Sequence, residues 1–112
     1  MTRRPALSPE ASADLEEIRQ YTAERFGEDQ ARQYVRGLRE AFEQIAGHPN
    51  SGREVAVGSD LRCWLHRGHY RILYLLRGDR LVIGRVIHAA RELEYQRALE
   101  IYLRGRQDPT KS

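Results

Sequence analysis

Between Leu61 and Arg91 the chain carries seven arginines, three histidines and a single acid, Asp79. Guanidinium groups present a planar fork of donors that matches phosphate and carboxylate, so this density points to recognition of an anion. They do not lose their protons in proteins and so cannot act as bases. Imidazole titrates near neutrality, which leaves His66, His69 and His88 as candidates for a base. His88 ends a strand-like run on the side opposite Arg85, which predicts that it lies beside Arg71. The plainer reading of His88 is a ring hydrogen-bonded at a strand end. A metal held by His66 and His69 would need two further ligands, and the sequence supplies none nearby. Cys63 is the one cysteine, which excludes a disulfide framework and a cysteine-rich metal site. No metal or other cofactor is expected.

The arginines are segregated along the chain. Ser8 to Gly47 holds nine acids and five arginines, a local balance of −4, whereas Leu61 to Arg91 is +6 and the whole chain only +3. Seven guanidinium groups against one acid predict a polyanion or an acidic protein as partner. Arg62, Arg71, Arg77 and Arg85 are expected to form a positive strip on a sheet. Trp64 is either an aromatic anchor for the partner or a core residue flanking Cys63 and Leu65. Lys111 is the single lysine among nineteen basic residues. Genomic base composition explains that bias as well as recognition does, so clustering is the better evidence. The acids at Glu10, Asp14, Glu17, Glu24, Glu28, Asp29, Glu40 and Glu43 read as solvated helix faces.

The elements that position these groups follow from the change in apolar period. Residues 2–7 can form a short strand, which Pro5 restricts to an edge or a brief pairing. Ser8-Pro9-Glu10 starts a helix, with Ser as N-cap and Pro in the first turn. Ala11, Leu15, Ile18 and Thr22 follow at helical spacing, and Gly27 breaks the pattern. A second helix over 28–46 buries Ala31, Val35, Leu38, Phe42 and Ile45, then ends at Gly47 and Pro49. So short a connection makes the two helices antiparallel neighbours. A loop over 48–60 follows, and then the period becomes two.

Leu61–His66 is strand-like. Tyr70, Ile72, Tyr74 and Leu76 alternate with Arg71, Leu73, Leu75 and Arg77, which makes Tyr70 and Tyr74 core positions. Leu81, Ile83, Arg85 and Ile87 alternate with Val82, Gly84, Val86 and His88 across the Gly78-Asp79 turn. These strands form an antiparallel meander that the helical hairpin covers on one face. The expected fold is therefore α+β, a helical hairpin on an antiparallel sheet of three to four strands, with the N-terminal strand beside one of the last three. A further helix over about 90–103 has Leu93, Ala98, Ile101 and Tyr102 on its apolar face. It leaves Glu92, Glu94, Arg97, Glu100 and Arg104 for solvent, and residues 105–112 are frayed. Such a helix must pack on something to be ordered: its own domain or a second copy is the favoured reading, and a lid standing in the partner's groove until displaced is the alternative.

At 112 residues, 40% hydrophobic and 31% charged, the chain reads as a single domain over 1–112, with its core in 6–91 and the C-terminal helix and tail in 92–112. No apolar run reaches the length of a membrane span, the N-terminus lacks a secretory signal, and a reducing cytoplasm is the expected location.

Four segments fall in order on this frame. They are Ser8-Pro9-Glu10-Ala11 leading to Asp14-Leu15-Glu16-Glu17-Ile18, His48-Pro49-Asn50-Ser51-Gly52-Arg53, Tyr70-Arg71-Ile72-Leu73-Tyr74 and Arg85-Val86-Ile87-His88. Over about residues 6–91 the chain resembles the RelE/ParE superfamily of bacterial type II toxins, and its ParE branch in particular. The resemblance implies a toxin without catalytic activity that poisons DNA gyrase by protein contact and is neutralised by a ParD-like antitoxin. Direct nucleic-acid binding is not expected, and a homodimer or a toxin–antitoxin hetero-oligomer is open. The partner-binding residues expected from the charge clustering and the aromatic are Arg62, Trp64, Arg71, Arg77, Arg85, His88 and Arg91.

RelE toxins instead cut messenger RNA in the ribosomal A site, and that alternative would draw on Arg62, Arg71, His88, Arg91 and Tyr95. RNA cleavage needs a base, cations for the phosphorane and a proton donor. Where RelE-like sequences place a lysine pair, this chain has Arg62 and Trp64, and Arg91 and Tyr95 do not fit the C-terminal spacing cleanly. A third reading is a family member that only binds its antitoxin.

Overall fold

The computed structural model describes residues 5–107. The elements are β1 (Pro5–Leu7), α1 (Pro9–Phe26), α2 (Glu28–Gly47), β2 (Arg53–Glu54), β3 (Leu61–His66), β4 (Tyr70–Arg77), β5 (Arg80–His88) and α3 (Glu92–Gln107). The first helix starts as its sequence predicts. Ser8 accepts the Ala11 N–H at 3.0 Å, and Pro9 occupies the first turn, where a missing N–H leaves nothing unpaired. The same hydroxyl donates to the Gly84 carbonyl at 2.7 Å, so the cap also straps α1 to β5. Gly27 alone joins α1 to α2, at φ +94°, a left-handed conformation that other residues rarely adopt. The two helices therefore fold back on each other as an antiparallel hairpin.

The sheet has five strands in the order β1-β5-β4-β3-β2. β3, β4 and β5 form the expected antiparallel meander, and β1 joins β5 in parallel through Pro5↔Leu81 to Leu7↔Ile83. The sheet is thus mixed and one strand larger than expected. The extra strand, β2, is two residues long and lies inside the segment read as a loop. Residues 2–4 of the expected first strand lie outside the described residues, as do 108–112 of the expected frayed end.

One face of the sheet packs on the hairpin. Ala11, Leu15, Ile18, Leu38, Ala41, Phe42 and Ile45 meet Ile72, Tyr74, Leu81, Ile83 and Val86, with Tyr70 and Trp64 at the margin. Tyr74 is fully buried; its hydroxyl donates to the Pro49 carbonyl at 2.8 Å and accepts the Gly52 N–H at 2.9 Å, which pins the loop after α2.

The other face packs on α3, where Leu61, Leu73, Leu75 and Ile87 meet Tyr95, Ala98, Leu99, Tyr102 and Leu103. α3 therefore covers its own domain. Its inward face differs from the expected one, because Leu93 and Ile101 point outward, 66% and 69% exposed. The docking is set at Gly84. A Cβ there would stand 2.5 Å from the Tyr102 hydroxyl, so only glycine lets this ring lie on β5.

The alternation of β5 also breaks at Gly84, where the register passes from Tyr74↔Ile83 to Leu73↔Arg85. This bulge returns Val86 and His88 to the hairpin face and sends Arg85 and Ile87 to the α3 face. The grouping of Ile83 with Arg85 and Ile87 is thereby corrected.

Candidate partner-binding surface

The expected positive strip does not form. Arg62 lies on the hairpin face, and its Nη1 donates to the carbonyls of Gly52 at 2.6 Å and Asn50 at 3.2 Å. Arg71, Arg77 and Arg85 belong to the α3 face. There the first turn of α3 supplies acids: Glu92 pairs with Arg71 at 2.9 Å and Glu94 with Arg85 at 3.0 Å. Arg85 is also held by Asp14 through Nε at 2.8 Å and Nη2 at 3.1 Å, and Asp14 accepts the Val86 N–H at 2.8 Å. The Asp14 hydrogen bonds hold the Arg85 guanidinium even more firmly protonated than an ordinary arginine. Asp14 is therefore a partly buried structural carboxylate, its side chain 14% exposed, and not part of a solvated face. It closes the edge of β5 just past the point where β1 ends.

Arg91 reaches toward Glu17 at 3.8 Å and Glu94 at 3.5 Å. Arg53, Arg67, Arg77 and Arg80 make no ion pair among the described residues.

The groups a ribonuclease would need are divided between the two faces. Arg71 stands 4.2 Å over the Tyr95 ring on the α3 face. Tyr95 is buried against Cys63, and burial with that contact pushes its hydroxyl up to about 12. Burial pushes the Cys63 thiol up as well. Arg62 and His88 are on the opposite face. His88 pairs in register with Tyr70, its ring edge-on to the tyrosine at 5.0 Å, and not beside Arg71 as expected. Its Nδ1 accepts the Ala90 N–H at 3.0 Å, the strand-end role.

Among the described residues no cluster of three His, Cys, Asp or Glu could hold a metal. No helix there is long and apolar enough to cross a membrane.

What the fold does present is an open edge. The Val55 N–H bonds the Leu61 carbonyl at 3.2 Å, so the odd-numbered residues of β3 turn their backbone groups away from β4. β2 reaches only as far as Cys63, and among the described residues Leu65 therefore has no strand beside it on that side. Beside this edge runs a groove of about 270 Å³ between α2 (Gly37, Glu40, Ala41, Gln44) and the Trp64–Arg67 segment. The Arg67 guanidinium lies across Gly37. Trp64 packs on the core margin, one of the two positions expected for it, and also lines the groove. Leu65, Arg67 and Gly37 were not singled out from the sequence. The signal is the shortness of β2, which no pattern in residues 48–60 reveals.

Comparison with known proteins bears on this arrangement. A model of the family described as "ParE toxin of type II toxin-antitoxin system, parDE" matches residues 6–93. The chain belongs to the ParE toxin family. The protein named Toxin ParE1 of Mycobacterium tuberculosis (strain H37Rv) is 36% identical over 98 residues, which cover 84% of this chain and 97% of that one. Toxin ParE1 of Caulobacter vibrioides is 38% identical over 85 residues, covering 73% and 84%. A solved structure described as "Chromosomal ParDE TA system from P. aeruginosa" superposes with a TM-score of 0.67 at 17% identity, covering 78% of this chain and 96% of that one, which supports the fold. The ParE family match takes in the helical hairpin and the sheet, and ends within the first turn of α3 at Leu93.

Proposed function

We propose that this ParE-family protein is the toxin of a toxin–antitoxin pair that acts by protein contact, without catalysis, on DNA gyrase in the bacterial cytoplasm, and that a ParD-type antitoxin neutralises it. The observation that carries the non-catalytic reading is the division of Arg62 and His88 from Arg71 and Tyr95 by the sheet itself. A phosphoryl-transfer site needs base, cations and acid around one phosphate, within hydrogen-bond reach of it. Here a layer of backbone separates Arg62 and His88 from Arg71 and Tyr95. The cations that do share a cavity with His88, Arg85 and Arg91, are paired with Asp14, Glu17 and Glu94. The structural neighbour from P. aeruginosa is part of a ParDE system, which supports an antitoxin of the ParD type as partner.

The antitoxin segment is assigned to the β3 edge and the groove beside α2. An extended chain there gains main-chain hydrogen bonds from Leu65 and apolar contact with Trp64 and Ala41. Arg67 and Arg53 carry the charge that attracts its acids, and charge at such a rim chiefly speeds encounter. Of the expected partner-binding residues, Arg62 and Trp64 lie on the groove side. Arg71, Arg77, Arg85 and Arg91 lie toward α3, and this reading gives them no antitoxin contact.

The alternative ribonuclease reading keeps one supporting observation, the contact of Arg71 with Tyr95. A supercoiling assay with purified gyrase, run beside an in vitro translation assay, separates the readings. Inhibited supercoiling with intact messenger is expected. A-site cleavage with unaffected gyrase would overturn the proposal, and silence in both assays would favour a protein that only binds its antitoxin.

A further inference from the structure

We propose that a row of rings across the end of the sheet, His66–Tyr70–His88 clamped by Tyr34 of α2, is an acid-sensitive latch. Uptake of a proton by His66 releases α2 from β3.

The row is built by register. His66 pairs with Tyr70 across β3 and β4, and Tyr70 pairs with His88 across β4 and β5. Tyr34 descends from α2 onto two of the three, edge-on to His66 at 6.0 Å and tilted to Tyr70 at 5.7 Å. The three strand ends and α2 are thus joined through aromatic contacts, and the burial they impose on His66 disfavours its charged form.

His66 is 7% exposed, and its Nε2 is buried with no hydrogen-bond partner among the described residues. The Tyr34 hydroxyl, on the ring packed against it, is likewise buried with no partner among them. In the imidazolium both ring nitrogens are donors, so Nε2 must then carry a buried N–H with no partner among the described residues. The ionisable groups facing it are Tyr34 and Glu40 from α2, Arg67 and His69 from the turn, and Tyr70 from β4. Glu40, the one acid among them, is solvent-exposed in the groove and makes no ion pair with the imidazole among the described residues. Burial first, then Arg67 and His69, hold the imidazole below its ordinary 6.5.

The sign follows from that direction. The unfolded chain takes up the proton first as pH falls, so this contribution to stability is complete above 6.5 and declines below it. Through the window between the unfolded and folded values, each pH unit lowers the folded-to-unfolded ratio by about tenfold. The contact that would be lost, Tyr34 on His66, joins α2 to β3, which form the groove. The latch is a property of the free chain and stands or falls independently of what the groove binds.

The test compares the free chain with His66→Phe, which keeps a ring and removes the titration. Melting temperature is followed from pH 7.5 to 5.0, with hydrogen-exchange protection factors for α2. The wild type should lose more protection in α2 than the variant over this range, and its melting temperature should fall further. If His66→Phe fails to fold, the His66 imidazole is titrated by NMR in the wild type. Half-protonation below 6.5 with matching shift changes at Tyr34 supports the latch. Equal pH profiles for the two proteins, or an imidazole that titrates at or above 6.5 without change in α2, would overturn it.

Discussion

Replacing Asp14 with alanine should destabilise the protein more than any other change at a charged residue of α1. The carboxylate makes three short hydrogen bonds, two to Arg85 and one to the Val86 N–H, from a side chain only 14% exposed. Removing it orphans the Val86 N–H at the edge of β5, which costs about 1–3 kcal/mol. Breaking a buried pair from one side costs about 3–5 kcal/mol. The lower end applies because Arg85 keeps Glu94 at 3.0 Å and is itself 19% exposed. These overlapping losses put the total near 3 kcal/mol. Unfolding entropy of about 2.1 cal/mol/K per residue converts that into a fall of roughly 12 °C in Tm for a chain of this length. Asp14→Asn, which keeps an acceptor for Val86, should lose about half as much. Thermal unfolding followed by circular dichroism measures both. A loss below about 1 kcal/mol for Asp14→Ala would mean that the edge of β5 is not closed by α1 and would refute the reasoning.

Gly84→Ala should drive Tyr102 off β5 and cost about 1–3 kcal/mol, the usual range for overpacking, with tyrosine fluorescence reporting the displaced ring. Deleting residues 92–112 exposes Leu61, Leu73, Leu75 and Ile87 together, so the truncated chain should melt more than 10 °C lower or aggregate; an unchanged melting curve would show α3 to be dispensable. Cys63 should react with iodoacetamide at neutral pH at least tenfold more slowly than in the denatured chain, because its raised pKa leaves less thiolate and Tyr95 covers it. Tyr95→Ala should accelerate the reaction.

The sequence discloses what depends on neighbours along the chain. Ser8 and Pro9 specify the start of α1, Gly27 the hairpin, and period-two alternation the meander. What it conceals depends on contacts between distant segments. β2 is two residues whose only reason to be extended is Cys63 and Arg62 across from them. The bulge at Gly84 shifts the faces of β5 by one residue and turns Arg85 toward α3, and alternation alone cannot show that. α3 has apolar residues on more than one side, and the space Gly84 leaves for Tyr102 decides which side docks. The arginine excess looked as though it required an outside anion. Asp14, Glu92 and Glu94, all distant in sequence from the arginines they meet except Glu94, supply much of the countercharge from within.

The most direct test of action by contact is the growth arrest caused by Tyr95→Phe, which removes one buried hydroxyl and keeps the ring under Arg71. A protein that works through its surface should arrest growth and inhibit gyrase within about threefold of the wild type, with its melting curve confirming the fold. General acid catalysis contributes about 10²–10⁴-fold. A loss of toxicity of that size in a variant that still folds would contradict the account.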